Sequence, residues 1–160
     1  SKDVNKGFEA ATGDFVVFTG NDVFTRPGWL EALLACFDIP DCGVATLRAS
    51  ELQLPPTDRI IEGVYCPLMM FRKGWRFDEA YPGAWGDTDL IMRIYEQGQR
   101  SYRNNLVTID HIGQATDKAV LSAEESKARF MEGQRLFIER HAEIGGHLRM
   151  FHYLVQGVVI

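Results

Sequence analysis

Apolar residues along this chain fall into short unbroken runs and one-sided helical stripes that alternate, with polar clusters at the junctions. Phe15 to Thr19 is a continuous apolar run of strand type, the pattern of a strand covered on both faces. Asn5 to Ala11 reads as a short helix before it, and Ala11-Thr12-Gly13-Asp14 as the turn between them. From about Arg26 to Phe37, the residues Trp29, Leu30, Leu33, Leu34 and Phe37 recur on one stripe. That spacing predicts a helix starting beside Pro27 and burying the stripe.

Val44 to Leu47 reads as a further strand, followed by a loop around Pro55-Pro56 that is expected to be exposed and mobile. Gly63 to Arg72 reads as a strand interrupted by Pro67, which a central ladder tolerates only at a bulge. A Gly- and aromatic-rich loop then leads into a helix ending at Gly98, and Arg100 to Ile109 is a strand running out into Asp110-His111. Ser122 opens the longest helix with a capping box to Glu125, and Gly145-Gly146 closes it. Phe130, Phe137 and Ile138 lie on it at core spacing. The alternation predicts an α/β fold, a mixed and mostly parallel sheet flanked by helices, with polar residues gathered where strands end. Open α/β sheets bind their ligands there.

Composition narrows the class. The 160 residues suit one domain, 1–160, and 46% hydrophobic with 24% charged residues is ordinary for a soluble globular chain. A net charge of −5 and a pI near 5.3 argue against nucleic acid, which needs clustered Lys and Arg. Cys36, Cys42 and Cys66 are odd in number and lack a CxxC spacing, so reduced thiols and a cytoplasmic location are expected rather than a disulfide framework or a zinc site. No apolar run reaches the roughly 20 residues that span a bilayer. The polar start and the apolar end "YLVQGVVI" read as an excerpt of a longer chain.

Two polar clusters carry candidate chemistry. Gly20-Asn21-Asp22 follows the first strand, where Asp22 could ligate a divalent ion whose other positions are filled by phosphate oxygens. The same two residues could equally form a turn, because Asn and Asp bond their own backbone readily. Trp85-Gly86-Asp87-Thr88-Asp89 opens a helix, where two acids favour the positive end of its dipole. A carboxylate in such a loop could also take a proton from an incoming hydroxyl, with Trp85 as an apolar platform for a sugar ring. His111, at a strand end, is open to a packing role or a ligand role.

In order and wording these blocks resemble the family-two glycosyltransferases of the nucleotide-diphospho-sugar, or GT-A, fold. Asn5-Lys6-Gly7 with Ala11-Thr12-Gly13-Asp14 is similar to the family's Asn-x-Gly helix before its central strand. Phe15 to Asp22 resembles the strand ending in Asp-x-Asp, "RPGWLEALL" the following helix, and "FDEAYPGAWGDTDLIMRIYEQG" the acceptor-side block. The resemblance, over roughly residues 5 to 140, implies an inverting, metal-assisted glycosyltransferase. It would move a sugar from a nucleotide-sugar donor to a saccharide or other hydroxyl acceptor. Asp87 would be the catalytic base. Asp22 and His111 would hold a divalent cation, Mn or Mg, and Asn21 would help them with the donor phosphates. Trp85, Gly86 and Asp89 would face the acceptor.

Two departures stand out. Only the last carboxylate of Asp-x-Asp is kept, and the acidic pair is Gly86-Asp87. Family members also carry a nucleotide-binding βαβ half before the Asn-x-Gly helix, so the chain is expected to be the C-terminal, metal and acceptor part of an incomplete GT-A fold. As such it should be inactive alone and homo-oligomeric. A non-catalytic binding or scaffolding module of the same fold is the alternative.

Overall fold

The computed structural model describes residues 2–52, 59–64, 67–113 and 120–141. The loop around Pro55-Pro56, Cys66 and Gly145-Gly146 lie outside the described residues. In chain order the elements are α1 (Lys2–Ala10), β1 (Phe15–Thr19), β2 (Val23–Phe24), α2 (Trp29–Cys36) and β3 (Cys42–Ala49). A 3-10 turn (Ser50–Leu52), β4 (Ile60–Glu62), β5 (Leu68–Arg72), α3 (Gly86–Glu96), β6 (Arg100–His111) and α4 (Ala123–Arg140) follow.

The strands form one sheet in the order β1-β5-β3-β6-β2, with β4 also paired to β6. Since β5 is antiparallel to both β1 and β3, and β3 is parallel to β6, the strands β1, β3 and β6 all run the same way. The expected mixed α/β sheet flanked by helices is present. Among the described residues β3·β6 is its one parallel pairing, a smaller parallel share than expected, because a separate returning strand, β5, lies between β1 and β3. Of the run expected as one strand from Gly63 to Arg72, the described residues after Pro67 form β5, while β4 ends at Glu62, before that run begins, and pairs with β6 instead.

Both sheet faces are covered, which is why the central strands are apolar throughout. Alternate residues of β5 divide between two cores: Met69 and Phe71 join Phe8, Leu90, Ile91 and Ile94 from α1 and α3, while Leu68 and Met70 join Leu33 and Cys36 from α2. The α2 stripe differs from expectation at two positions. Leu33 is fully buried, but Leu30 and Leu34 are each 40% exposed, because the helix starts at Trp29, after a left-handed Gly28, and turns Ala32, Leu33 and Cys36 to the sheet. On α4 only Phe137 of the three expected core residues is buried; Phe130 and Ile138 remain about half exposed. The capping box between Ser122 and Glu125 forms as expected.

β3 and β6 do not pair in simple register. Leu47 faces Asn104, yet the next residue, Arg48, faces Thr108, so three residues of β6 (105–107) bulge out. Asn104 secures the excursion, donating to Ala32 O at 2.9 Å and accepting from the Leu106 amide at 3.0 Å.

At the other side of the sheet Asn5, buried in α1, grips the loop before α3. Its Nδ2 donates to Phe77 O at 2.9 Å and its Oδ1 accepts from Phe77 N at 3.0 Å. Replacing it with alanine leaves both backbone groups of Phe77 without that partner, at about 1–3 kcal/mol for each buried group. Asn5→Ala should therefore lower the thermal midpoint by several degrees, whereas Lys6→Ala, in an exposed pair with Asp3, should leave it nearly unchanged. Calorimetry of the two variants checks the difference.

Candidate functional site

β1, β3 and β6 end at the same edge of the sheet, and each is followed by a polar residue that the fold brings to one place. After Thr19 the chain passes Gly20, whose amide donates to Pro67 O at 2.7 Å, and turns at Asn21-Asp22 into the two-residue strand β2. Asn21-Asp22 is thus a turn, as one of the two sequence readings has it, and Asn21 is exposed. β2 pairs with the end of β6, Val23 opposite His111 and Phe24 opposite Asp110, and the Ile112 amide donates to Asp22 O at 3.1 Å. These contacts set His111 Nε2 at 3.5 Å from Asp22 Oδ1, with both side chains largely buried.

Two neighbours complete this end of the sheet. Asp110 is held by the Arg26 guanidinium, whose Nη2 lies 2.9 Å from both carboxylate oxygens. Glu51, from the 3-10 turn after β3, lies with Oε1 2.5 Å from His111 Nδ1. Glu51 was missed by sequence reasoning, since a single acid before a proline-containing loop carries no pattern.

The second cluster sits at the start of α3. Trp85 is the N-cap with φ +68°, a left-handed conformation costly for a side chain of this size, and it makes no side-chain cap. Its ring packs against Phe130 and Phe137 of α4, at 5.4 and 5.3 Å between centroids. Gly133 of α4 is needed at this contact, because a Cβ there would lie 2.5 Å from Ala84 O. Gly86 is buried. Asp87 is half-buried, and its Oδ1 accepts the Thr88 amide at 2.8 Å, one of the first-turn donors that an acid was expected to engage.

Asp89 behaves differently. It was expected to face the acceptor, but it is 0% exposed and both its oxygens are engaged. Oδ1 accepts from the Tyr81 hydroxyl and faces His141 Nε2, each at 3.1 Å, and Oδ2 accepts from Arg93 Nε at 2.8 Å. Burial, then the charge of Asp89, pushes the Tyr81 phenol above its ordinary range, so the hydroxyl stays a donor. Asp89 therefore ties α3, its preceding loop and α4 together. His141, without context in the sequence, is part of that tie and also contacts Glu96 at 3.1 Å.

A cavity lined by Trp75, Arg93, Glu96, Gln97 and Gln99 contains none of the candidate residues. Burial pushes the Cys36 and Cys42 thiols up to about 12, so both stay protonated and free. Among the described residues no helix is long and apolar enough to cross a membrane, and no three His, Cys, Asp or Glu side chains form a metal cage.

No curated protein matches the chain. The family model described as glycosyl transferase family 2 matches residues 1–86. That span is more than half of the 160 residues and contains Asn21, Asp22, Trp85 and Gly86, ending just before Asp87. The β1 strand, its Asn21-Asp22 turn and the loop into α3 thus all fall within the match, and the chain belongs to glycosyl transferase family 2.

Proposed function

We propose that the chain carries the metal and acceptor side of an inverting glycosyltransferase that moves a sugar from a nucleotide-diphospho-sugar to an acceptor hydroxyl. The observation that carries this reading is the pairing of Asp22 with His111 at the carboxyl ends of co-directional strands. Their oxygen–nitrogen separation of 3.5 Å suits two adjacent ligands of one manganese- or magnesium-sized ion, which at about 2.1 Å each lie roughly 3.0–3.5 Å apart. Two protein ligands are enough for such an ion, since donor phosphates fill other positions. A bound divalent cation supplies Lewis acidity toward the departing diphosphate.

The remaining steps fall to the chain's own groups. α3 turns back into β6 through the short segment Gln97–Gln99, which carries the helix's start toward the end of the sheet where His111 stands. Asp87, half-buried there, would accept the acceptor hydroxyl's proton. The acceptor oxygen then bonds to the anomeric carbon as the bond to the diphosphate oxygen breaks, so configuration inverts and no covalent enzyme intermediate forms. Exposed Asn21 would steady the phosphates. Trp85 would offer an acceptor ring whatever face Phe130 and Phe137 leave open, and Gly86 would let the acceptor approach the backbone. The alternative, a non-catalytic module, draws its support from Gly20, where the resembled motif has its first carboxylate.

Three outcomes test this reading. Manganese should bind the protein with its nucleotide sugar, and Asp22→Ala should weaken it strongly while Asp14→Ala does not; equal affinity in wild type and Asp22→Ala removes the metal role. In the active full-length enzyme Asp87→Asn should lower kcat about a hundredfold or more with little change in donor binding. Asp89→Asn, by contrast, disturbs a buried ion pair and should first appear as lost stability, on the order of 3 kcal/mol, in denaturant melts. A stable Asp89→Asn enzyme with abolished kcat would reverse the two roles. Finally, β1 pairs only with β5 among the described residues and leaves its other edge open, which supports the proposal of a homo-oligomer. Light scattering at micromolar concentration should give a mass above the monomer, and a strictly monomeric, well-folded species would remove that proposal.

A further inference from the structure

His111 is held at both ring nitrogens. Nδ1 lies 2.5 Å from Glu51 Oε1, while Nε2 faces Asp22 Oδ1 at 3.5 Å. An ionised carboxylate only accepts, so the hydrogen of the short contact sits on Nδ1. A cation bound at Nε2 needs that nitrogen's lone pair, which is available when the ring hydrogen is on Nδ1, and Asp22 Oδ1 lies 3.5 Å from it as a second donor to the same ion. The ends of β1, β3 and β6 thus give one member each: Asp22, Glu51 and His111.

We propose that Glu51 is a positioning residue of this site: by holding Nδ1–H it fixes the tautomer and orientation that make His111 Nε2 a ligand, with Asp22, for one divalent cation. The proposal rests on the reading of Asp22 and His111 given above. Glu51 is not a third ligand, because it lies on the far nitrogen, in keeping with the lack of a three-residue cage among the described residues. Its charge reaches the cation through the ring. A carboxylate behind a metal-binding imidazole makes that ring a stronger donor, and losing such a partner costs about 10- to 100-fold in metal affinity. At position 20 the chain has Gly20 in place of the carboxylate of the resembled motif; Glu51 returns a negative charge to the site from the opposite side.

Manganese alone serves as the probe, titrated into the full chain and followed by the paramagnetic resonance of the free ion. Long-range proton–nitrogen NMR of the metal-free protein reads the His111 tautomer independently. Wild type should show the Nδ1–H form and bind manganese. Glu51→Ala should shift the ring toward the Nε2–H form and weaken binding about 10- to 100-fold. Glu51→Gln, which can still accept from Nδ1–H, should keep the tautomer and lose less affinity. With Glu51 partly exposed, all variants should keep the wild-type melting temperature, and Glu51→Gln stays informative should Glu51→Ala fold poorly. Unchanged affinity and tautomer in Glu51→Ala, with Asp22→Ala weakened, would overturn the role of Glu51 and leave the cation reading standing. An Nε2–H ring in wild type would overturn it as well. Manganese binding indifferent to both Asp22→Ala and His111→Ala would remove the cation reading and this proposal together.

Discussion

The pairing of β3 with β6 is the constraint on which the rest of the molecule depends. β6 carries β3 on one edge and both β4 and β2 on the other, so three segments distant in sequence are placed by one strand. Its bulge then decides what the strand delivers. Continued from Leu47 opposite Asn104, simple register would set Ala49 opposite residue 106; the three extra residues set it opposite Ile109 instead. Ile109 thereby enters the core beneath α2, and Asp110 and His111 follow at the strand's end, beside the turn that carries Glu51. Bulges beside binding sites re-aim side chains in this way.

A second constraint acts on the loop into α3. Trp85 holds a left-handed backbone without glycine, an arrangement that persists only where surrounding contacts over-determine it. Those contacts are visible: α4 covers the indole with Phe130 and Phe137, Gly133 lets the helix meet Ala84, and the buried Asp89 draws Tyr81, Arg93 and His141 together. The two acids of Asp87-Thr88-Asp89 therefore divide the work by burial. Asp89 is consumed by the scaffold, and Asp87, two residues earlier on the helix, stays half-buried.

Much of this was legible in the residues. β1 was bounded to the residue because a continuous apolar run between a Gly-Asp turn and a Gly-Asn-Asp turn has one reading. The α4 cap was equally plain, since Ser122 and Glu125 are a local chemical pair. What could not be read was set by partners far away in the chain. β2 is two residues long and has no period of its own; it exists because β6 offers it an edge. Leu30 and Leu34 obey the same helical spacing as Leu33, and only the docking angle of α2 on the sheet separates exposed from buried. Asp89 looked like Asp87 until Tyr81 and His141, eight residues before it and fifty-two after it, were placed beside it. The juxtaposition of Asp22 with His111 was anticipated from family resemblance rather than from any local pattern, whereas Glu51 had neither to announce it.

The missing carboxylate at position 20 has a packing explanation as well. Gly20 ties the end of β1 to the approach of β5 through Pro67 O, and the Asp22 carboxylate folds back over it, so that a Cβ at 20 would stand 2.8 Å from Asp22 Oδ1. An aspartate there would make Asp22 swing aside, and the direction it faces now is toward His111. The chain thus keeps either a second acid on the turn or the contact between Asp22 and the imidazole, and it keeps the contact.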